Sequence, residues 1–106
     1  MTDARILEQL YEVLESRKSA DPKESYTAKM YAKGVTKIAQ KVGEEGVETA
    51  LAAVAEGKTE LLNESADLLY MLLLLWAAKG VKPEEVFAVL NDRFGTPGLR
   101  DKDKKP

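Results

Sequence analysis

The chemistry open to this chain is set by five acidic residues in two clusters. Glu44, Glu45 and Glu48 crowd into the stretch EEGVE, and Glu64 and Asp67 follow in ESAD. On a helix, residues three apart point about 60° from one another. Glu45 with Glu48, and Glu64 with Asp67, therefore each form a pair on one face. Glu64 and Asp67 share their arc with Leu61, Leu68, Met71, Leu72 and Leu75, so these two acids stand on an apolar stripe. A carboxylate there is unfavourable unless it is paired or bound to a cation. Leu51, Ala52 and Ala55 continue the arc of the first pair. A short turn centred on Gly57-Lys58 folds the two segments antiparallel and sets Glu48 level with Asp67. Glu45 and Glu64 then lie one step to either side, each about 4.5 Å along the axis. Four carboxylates from facing helices fall into one patch, unfavourable when empty and favourable around a divalent cation. Either stretch alone has a plainer reading as a solvated helix face, with Lys41 and Glu45 as an (i, i+4) ion pair. The matched depth of the two pairs argues for the metal site. Gly46 in a helix interior costs about 1 kcal/mol against alanine, and close approach of another helix is the expected reason for it.

Composition narrows the ligand chemistry. Among 106 residues there is neither cysteine nor histidine. That removes disulfides, thiolate sites, the commonest general base and the commonest zinc ligand. A metal held by carboxylates alone is a hard ion, Mg²⁺ with Mn²⁺ as a possible substitute. Sixteen basic residues against 18 acidic ones give a net charge of −2, so no surface built to coat nucleic acid is expected. Lys37 and Lys41 stand one turn apart on the face of Glu48, where they would reach phosphates as point-charge donors. Lys33 falls beside the break at Gly34, and Ser25-Tyr26-Thr27 reads as a helix cap with an apolar anchor. The N-terminal stretch MTDARILEQLYEVLESRK carries acids and no apolar signal core, so a cytoplasmic protein is expected. The longest uncharged apolar run, Leu68–Ala78, is 11 residues, short for a membrane span.

The elements that must position these groups are all helical, and the fold class read from the sequence is an all-α bundle of four to five helices. Ile6, Leu7, Leu10, Val13 and Leu14 form a first amphipathic stripe, broken at Asp21-Pro22. Ser25 caps a short helix ending at Gly34. A long helix runs from about Thr36 to Glu56, and the next, capped by Thr59, runs to Lys79 and stops at Gly80. Lys82-Pro83-Glu84-Glu85 starts a last helix, with proline in the first turn and acids at the positive end of the dipole. Residues 1–95 thus form a single helical domain, and 96–106 a polar, turn-rich tail. LLYMLLLLWAA is apolar on nearly all sides and needs covering all round; a homodimer that shares this helix supplies the cover.

The acidic motif, EExxE followed after 15 residues by ExxD, resembles the signature of the all-α MazG-type nucleotide pyrophosphohydrolases. SYTAKMYAKGVTKIAQKVGEEGVETALAA, ELLNESADLLYMLLLL and VFAVLNDRFGTPGL are similar, within that superfamily, to the phosphoribosyl-ATP pyrophosphohydrolase family. The likeness covers most of the chain from Ser25 to Leu99. It implies a MazG-like, intertwined homodimer that uses Mg²⁺ to hydrolyse the α–β phosphoanhydride of phosphoribosyl-ATP, a step of histidine biosynthesis. It implies Glu45, Glu48, Glu64 and Asp67 as metal ligands. Glu44 would help to ligate or orient the water. Ser25, Tyr26, Thr27, Lys33, Lys37 and Lys41 would line the substrate site. Many relatives have histidine where this chain has Met71, and this chain does without it.

With no histidine, a glutamate serves as general base; Glu44 is the first choice, with Glu45 and Glu48 the other catalytic candidates. The expected partner is a nucleotide, with neither nucleic acid nor membrane. Phosphoribosyl-AMP cyclohydrolase, as a separate chain, is the expected pathway neighbour. Two alternatives share much of this pattern: a housekeeping pyrophosphohydrolase of ordinary NTPs, and a non-catalytic helical scaffold dimer whose acids only bind ions.

Overall fold

Apolar periodicity and a few punctuating residues produce five α-helices in the computed structural model, which describes residues 1–95. They are α1 (Arg5–Ser16), α2 (Tyr26–Lys33), α3 (Val35–Ala55), α4 (Lys58–Lys79) and α5 (Pro83–Asp92), and no strand occurs among the described residues. The all-α reading holds. The expected tail, 96–106, lies outside the described residues, as does the end of the VFAVLNDRFGTPGL stretch.

The stops and starts follow local chemistry. The Ser25 hydroxyl accepts from the Ala28 amide at 3.1 Å and so caps α2. Gly34 (φ +97°) separates α2 from α3, and Gly80 (φ +71°) ends α4 in the left-handed region, both conformations that favour glycine. Pro83 opens α5, and Glu85 accepts from the Lys82 amide at 2.8 Å.

Two boundaries differ from expectation. α4 is not capped by Thr59. The helix begins at Lys58, and Glu60 reaches back to accept from the Gly57 amide at 3.1 Å, which satisfies an end group that Thr59 is too far inside to meet. α1 closes before Asp21-Pro22, passing at Arg17–Ser19 into a 3₁₀ turn. Its inward face is Tyr11 and Leu14 with half-buried Leu7 and Leu10, whereas Ile6 and Val13 are turned outward.

α4 is the wall on which the other helices assemble. Its main contacts are with α3 and then α1. The core gathers Leu14, Met30, Ile38, Met71, Leu73 and Leu74. The Tyr31 hydroxyl donates to the Leu14 carbonyl at 2.8 Å and fastens α2 to α1. The apolar run Leu68–Ala78 continues a helix of 22 residues that is, by length and composition alone, sufficient to cross a bilayer. Length therefore does not decide the matter. α4 gives Met71, Leu73, Leu74 and Ala77 to the buried core, packs against α3 and α1, and carries the acids Glu60, Glu64 and Asp67.

Candidate active site

α3 and α4 are joined only by Glu56-Gly57 and pack against each other along their length. Thr49, on α3, sits at their contact. Its hydroxyl lies 2.7 Å from the Glu45 carbonyl, one turn back on its own helix, and 3.1 Å from the Glu64 carbonyl on α4. Around this point three carboxylates converge: Glu45, Glu48 and Glu64 each present an oxygen within 4.8 Å of the others. Glu45 Oε2 and Glu64 Oε1 are buried and have no hydrogen-bond partner. Burial, then the neighbouring Glu48 and Asp67, raise the carboxyl of Glu45 above the ordinary carboxylate range. Glu64 is raised in the same way, by loss of solvent first and then by Glu48 and Asp67.

Such a group is unfavourable unless a positive charge compensates it. The donors are hard, anionic oxygens, and two of them are orphaned in the interior. Both features fit Mg²⁺ or Mn²⁺ and neither suits a soft metal.

Asp67 stands beside this trio rather than within it. With Tyr26, Glu45, Tyr70 and Met71 it lines a cavity of about 370 Å³. The Tyr26 and Tyr70 rings are 6.5 Å apart and tilted by 35°. The Tyr70 and Thr27 hydroxyls are hydrogen-bonded, which pins the start of α2 to α4 and holds Tyr26 at the rim. Tyr26 is half exposed, an open aromatic face next to the carboxylates. Met71 is buried and supplies an apolar floor.

The other residues expected at the site are distributed differently. Ser25 spends its hydroxyl on the helix cap, and Thr27 is buried against Tyr70, so both position Tyr26 instead of lining the cavity. Lys33 is exposed in the last turn of α2. Lys37 is half-buried on α3. The Lys41 ammonium lies 3.5 Å from Glu44. Glu44 does not enter the acidic group. It accepts from the Gln40 amide at 2.8 Å, and this bond, then Lys41 and Lys37, hold its carboxyl below the usual range against a smaller opposing effect of lost solvent. Glu44 and Glu48 share an outer groove of about 540 Å³ with Gln40, Gly43 and Val47. A Cβ at Gly46 would meet nothing within 4 Å, so close packing inside the chain is not the reason for that glycine.

Thr49, Tyr70 and Gln40 are the contributors that the sequence reading passed over. Thr49 had a signal, since a threonine four residues after Glu45 is spaced to bond that carbonyl. Tyr70 had one too: it is three residues beyond Asp67 and shares its face.

The pattern of the family described as Phosphoribosyl-ATP pyrophosphohydrolase matches residues 7–94. A phosphoribosyl-ATP pyrophosphatase of Paramagnetospirillum magneticum is 59% identical over 100 residues, covering 94% of this chain and 92% of that protein. One from Azospirillum brasilense is 49% identical over 102 residues, covering 96% and 92%. The histidine biosynthesis bifunctional protein HisIE of Vibrio cholerae is 55% identical over 87 residues, 82% of this chain but 41% of its own. The matched span contains α2, α3 and α4 entire, and with them every carboxylate of the acidic group: the chain belongs to the phosphoribosyl-ATP pyrophosphohydrolase family.

Proposed function

We propose that the chain hydrolyses phosphoribosyl-ATP to phosphoribosyl-AMP and pyrophosphate, the second step of histidine biosynthesis. The observation that carries this reading is the convergence of Glu45, Glu48 and Glu64 next to a cavity walled by Tyr26 and Tyr70. The names of its relatives agree with it.

Glu45, Glu48 and Glu64 would hold the divalent cation, with Asp67 beside them to complete the set. Bound there, Mg²⁺ or Mn²⁺ would neutralise charge developing on the phosphate oxygens and lower the pKa of water. Tyr26 offers a stacking face for the adenine base, with Tyr70 and Thr27 holding the ring in place. The water oxygen attacks phosphorus, the α–β phosphoanhydride P–O bond breaks, and pyrophosphate departs. Glu45 takes the proton of the attacking water on the carboxylate oxygen that it does not offer to the cation, because it lines the cavity while Glu44 is directed to the outer groove. Lys37 and Lys41 meet the departing pyrophosphate from the α3 side, Lys41 exchanging Glu44 for a phosphate oxygen. Lys33 serves at the periphery.

The active form in this reading is a homodimer. Val47, Leu51 and Val54 on α3 and Leu62 and Leu69 on α4 remain exposed on the single chain, an apolar surface that a second copy would cover. A cytoplasmic location and a neighbouring cyclohydrolase that consumes phosphoribosyl-AMP are corollaries. The test is pyrophosphate release with Mg²⁺ from phosphoribosyl-ATP beside a panel of ordinary NTPs. Preferential turnover of phosphoribosyl-ATP is expected. Equal or faster turnover of plain NTPs points to a housekeeping enzyme, and no release from any nucleotide points to a scaffold.

A further inference from the structure

Thr49 carries no charge, lines neither the cavity at Tyr26 and Tyr70 nor the outer groove at Glu44, and belongs to neither acidic pair. Yet its single hydroxyl is the polar link between the two helices that carry the acids. It lies 2.7 Å from the Glu45 carbonyl and 3.1 Å from the Glu64 carbonyl, so one proton is shared between two acceptors. Those two carbonyls belong to the two residues whose side chains each hold a buried, unpartnered carboxylate oxygen in the three-acid group. A bond from threonine to the carbonyl four residues back is ordinary in helices. The additional bond across to α4 is not required by any helix, and it joins one acidic residue to the other.

Repulsion among Glu45, Glu48 and Glu64 pushes α3 and α4 apart at this level. Small residues adjoin the contact, Ala52 being fully buried one turn further along α3, so apolar packing there sets the separation but tolerates sliding. A hydrogen bond of defined length to a backbone carbonyl resists both separation and sliding. We propose that Thr49 is a positioning residue for the metal site, fixing the register of Glu45 against Glu64 through their backbones so that the carboxylates are preorganised for a divalent cation. Thr49 contacts neither cation nor substrate; it acts through the placement of the two ligands. This inference rests on the reading of the acidic group as a metal site.

The experiment measures Mn²⁺ binding by electron paramagnetic resonance on the unmodified chain and on the variants T49V, T49A and T49S, without substrate. Pyrophosphate release is recorded in parallel at graded Mg²⁺. T49V keeps shape and removes the hydroxyl; T49A does so without the branched side chain, so misfolding of one leaves the comparison intact. T49S restores the hydroxyl. Loss of a group that orients metal ligands weakens binding by about tenfold. That loss is expected in T49V and T49A, with a matching rise in the Mg²⁺ concentration for half-maximal rate and a smaller change in the rate at saturating Mg²⁺. T49S is expected within about twofold of the unmodified chain. Unchanged Mn²⁺ affinity in the hydroxyl-free variants overturns the inference and leaves the metal site standing. So does T49S binding as weakly as T49A. Failure of the unmodified chain to bind Mn²⁺ overturns the metal-site reading, and this inference with it.

Discussion

Glu45 on α3 and Glu64 on α4 each bury one carboxylate oxygen without a partner, and their side chains face one another in the same three-acid group. Each is raised above the ordinary carboxylate range, chiefly by loss of solvent and then by the neighbouring acids. A fold that places two such groups together is destabilised by their ionisation unless a cation shares the site.

The metal-free protein is therefore expected to lose stability as pH rises. A carboxyl whose folded-state pKa lies above its unfolded value binds its proton more tightly in the folded chain. Folding gains as pH falls through the folded-state value toward the ordinary one of about 4.3. In EDTA, the melting temperature should rise as pH is lowered from neutral toward the ordinary carboxylate range. Added Mn²⁺ or Mg²⁺ should raise it most at the neutral end and so flatten the profile. Scanning fluorimetry across pH, with and without metal, reads this directly; a metal-free profile that is flat over this range contradicts it.

Glu45→Gln should separate stability from activity. Removing the most crowded charge stabilises the metal-free chain by a few degrees in melting temperature, while pyrophosphate release falls by roughly a hundredfold or more. Glu48→Gln and Asp67→Asn should lose turnover to a similar degree with unchanged helical circular dichroism. Full activity in either of these two removes that residue from the site.

Tyr26 has a face open to the cavity, and stacking of a base on an aromatic ring is worth about 1–3 kcal/mol. Tyr26→Ala should raise KM for phosphoribosyl-ATP roughly tenfold or more with little change in melting temperature. Tyr26→Phe should keep KM near that of the unmodified chain. Steady-state kinetics on the two variants distinguish stacking from hydrogen bonding by the phenol.

Tyr70→Phe removes the bond to Thr27, which costs about 1 kcal/mol, or roughly 4–8 °C in a domain of this size. Because that bond anchors the start of α2, KM should rise more than kcat falls. An equal loss in both would instead place the Tyr70 hydroxyl at the reacting atoms.

The exposed stripe Val47, Leu51 and Val54 gives a test of assembly. Light scattering is expected to return twice the chain mass for the unmodified protein. The double variant Leu51→Asp, Val54→Asp should return the monomer mass, with a lower melting temperature.

Much of this molecule is legible in its sequence. Ser25, Gly34, Gly80 and Pro83 act within one helical turn of themselves, so their effects on helix ends follow from residue type and local backbone chemistry alone. The pairing of the EEGVE and ESAD segments is nearly as local, since a two-residue connection leaves α3 and α4 little choice but to lie side by side. Tertiary structure decided which side chains complete the site. Glu44 and Glu45 are adjacent in sequence, yet 100° of helical rotation sends one to the Gln40 amide and the outer groove and the other into the acidic group. Ser25 and Thr27 look like substrate contacts until α4 arrives and Tyr70 claims the Thr27 hydroxyl. Thr49 is an unremarked threonine until Glu64 comes within 3.1 Å of it. Periodicity gives each residue a direction relative to its own helix axis. Only the packing of a second helix determines what stands in that direction, and at this site that determines which acids lose their solvent.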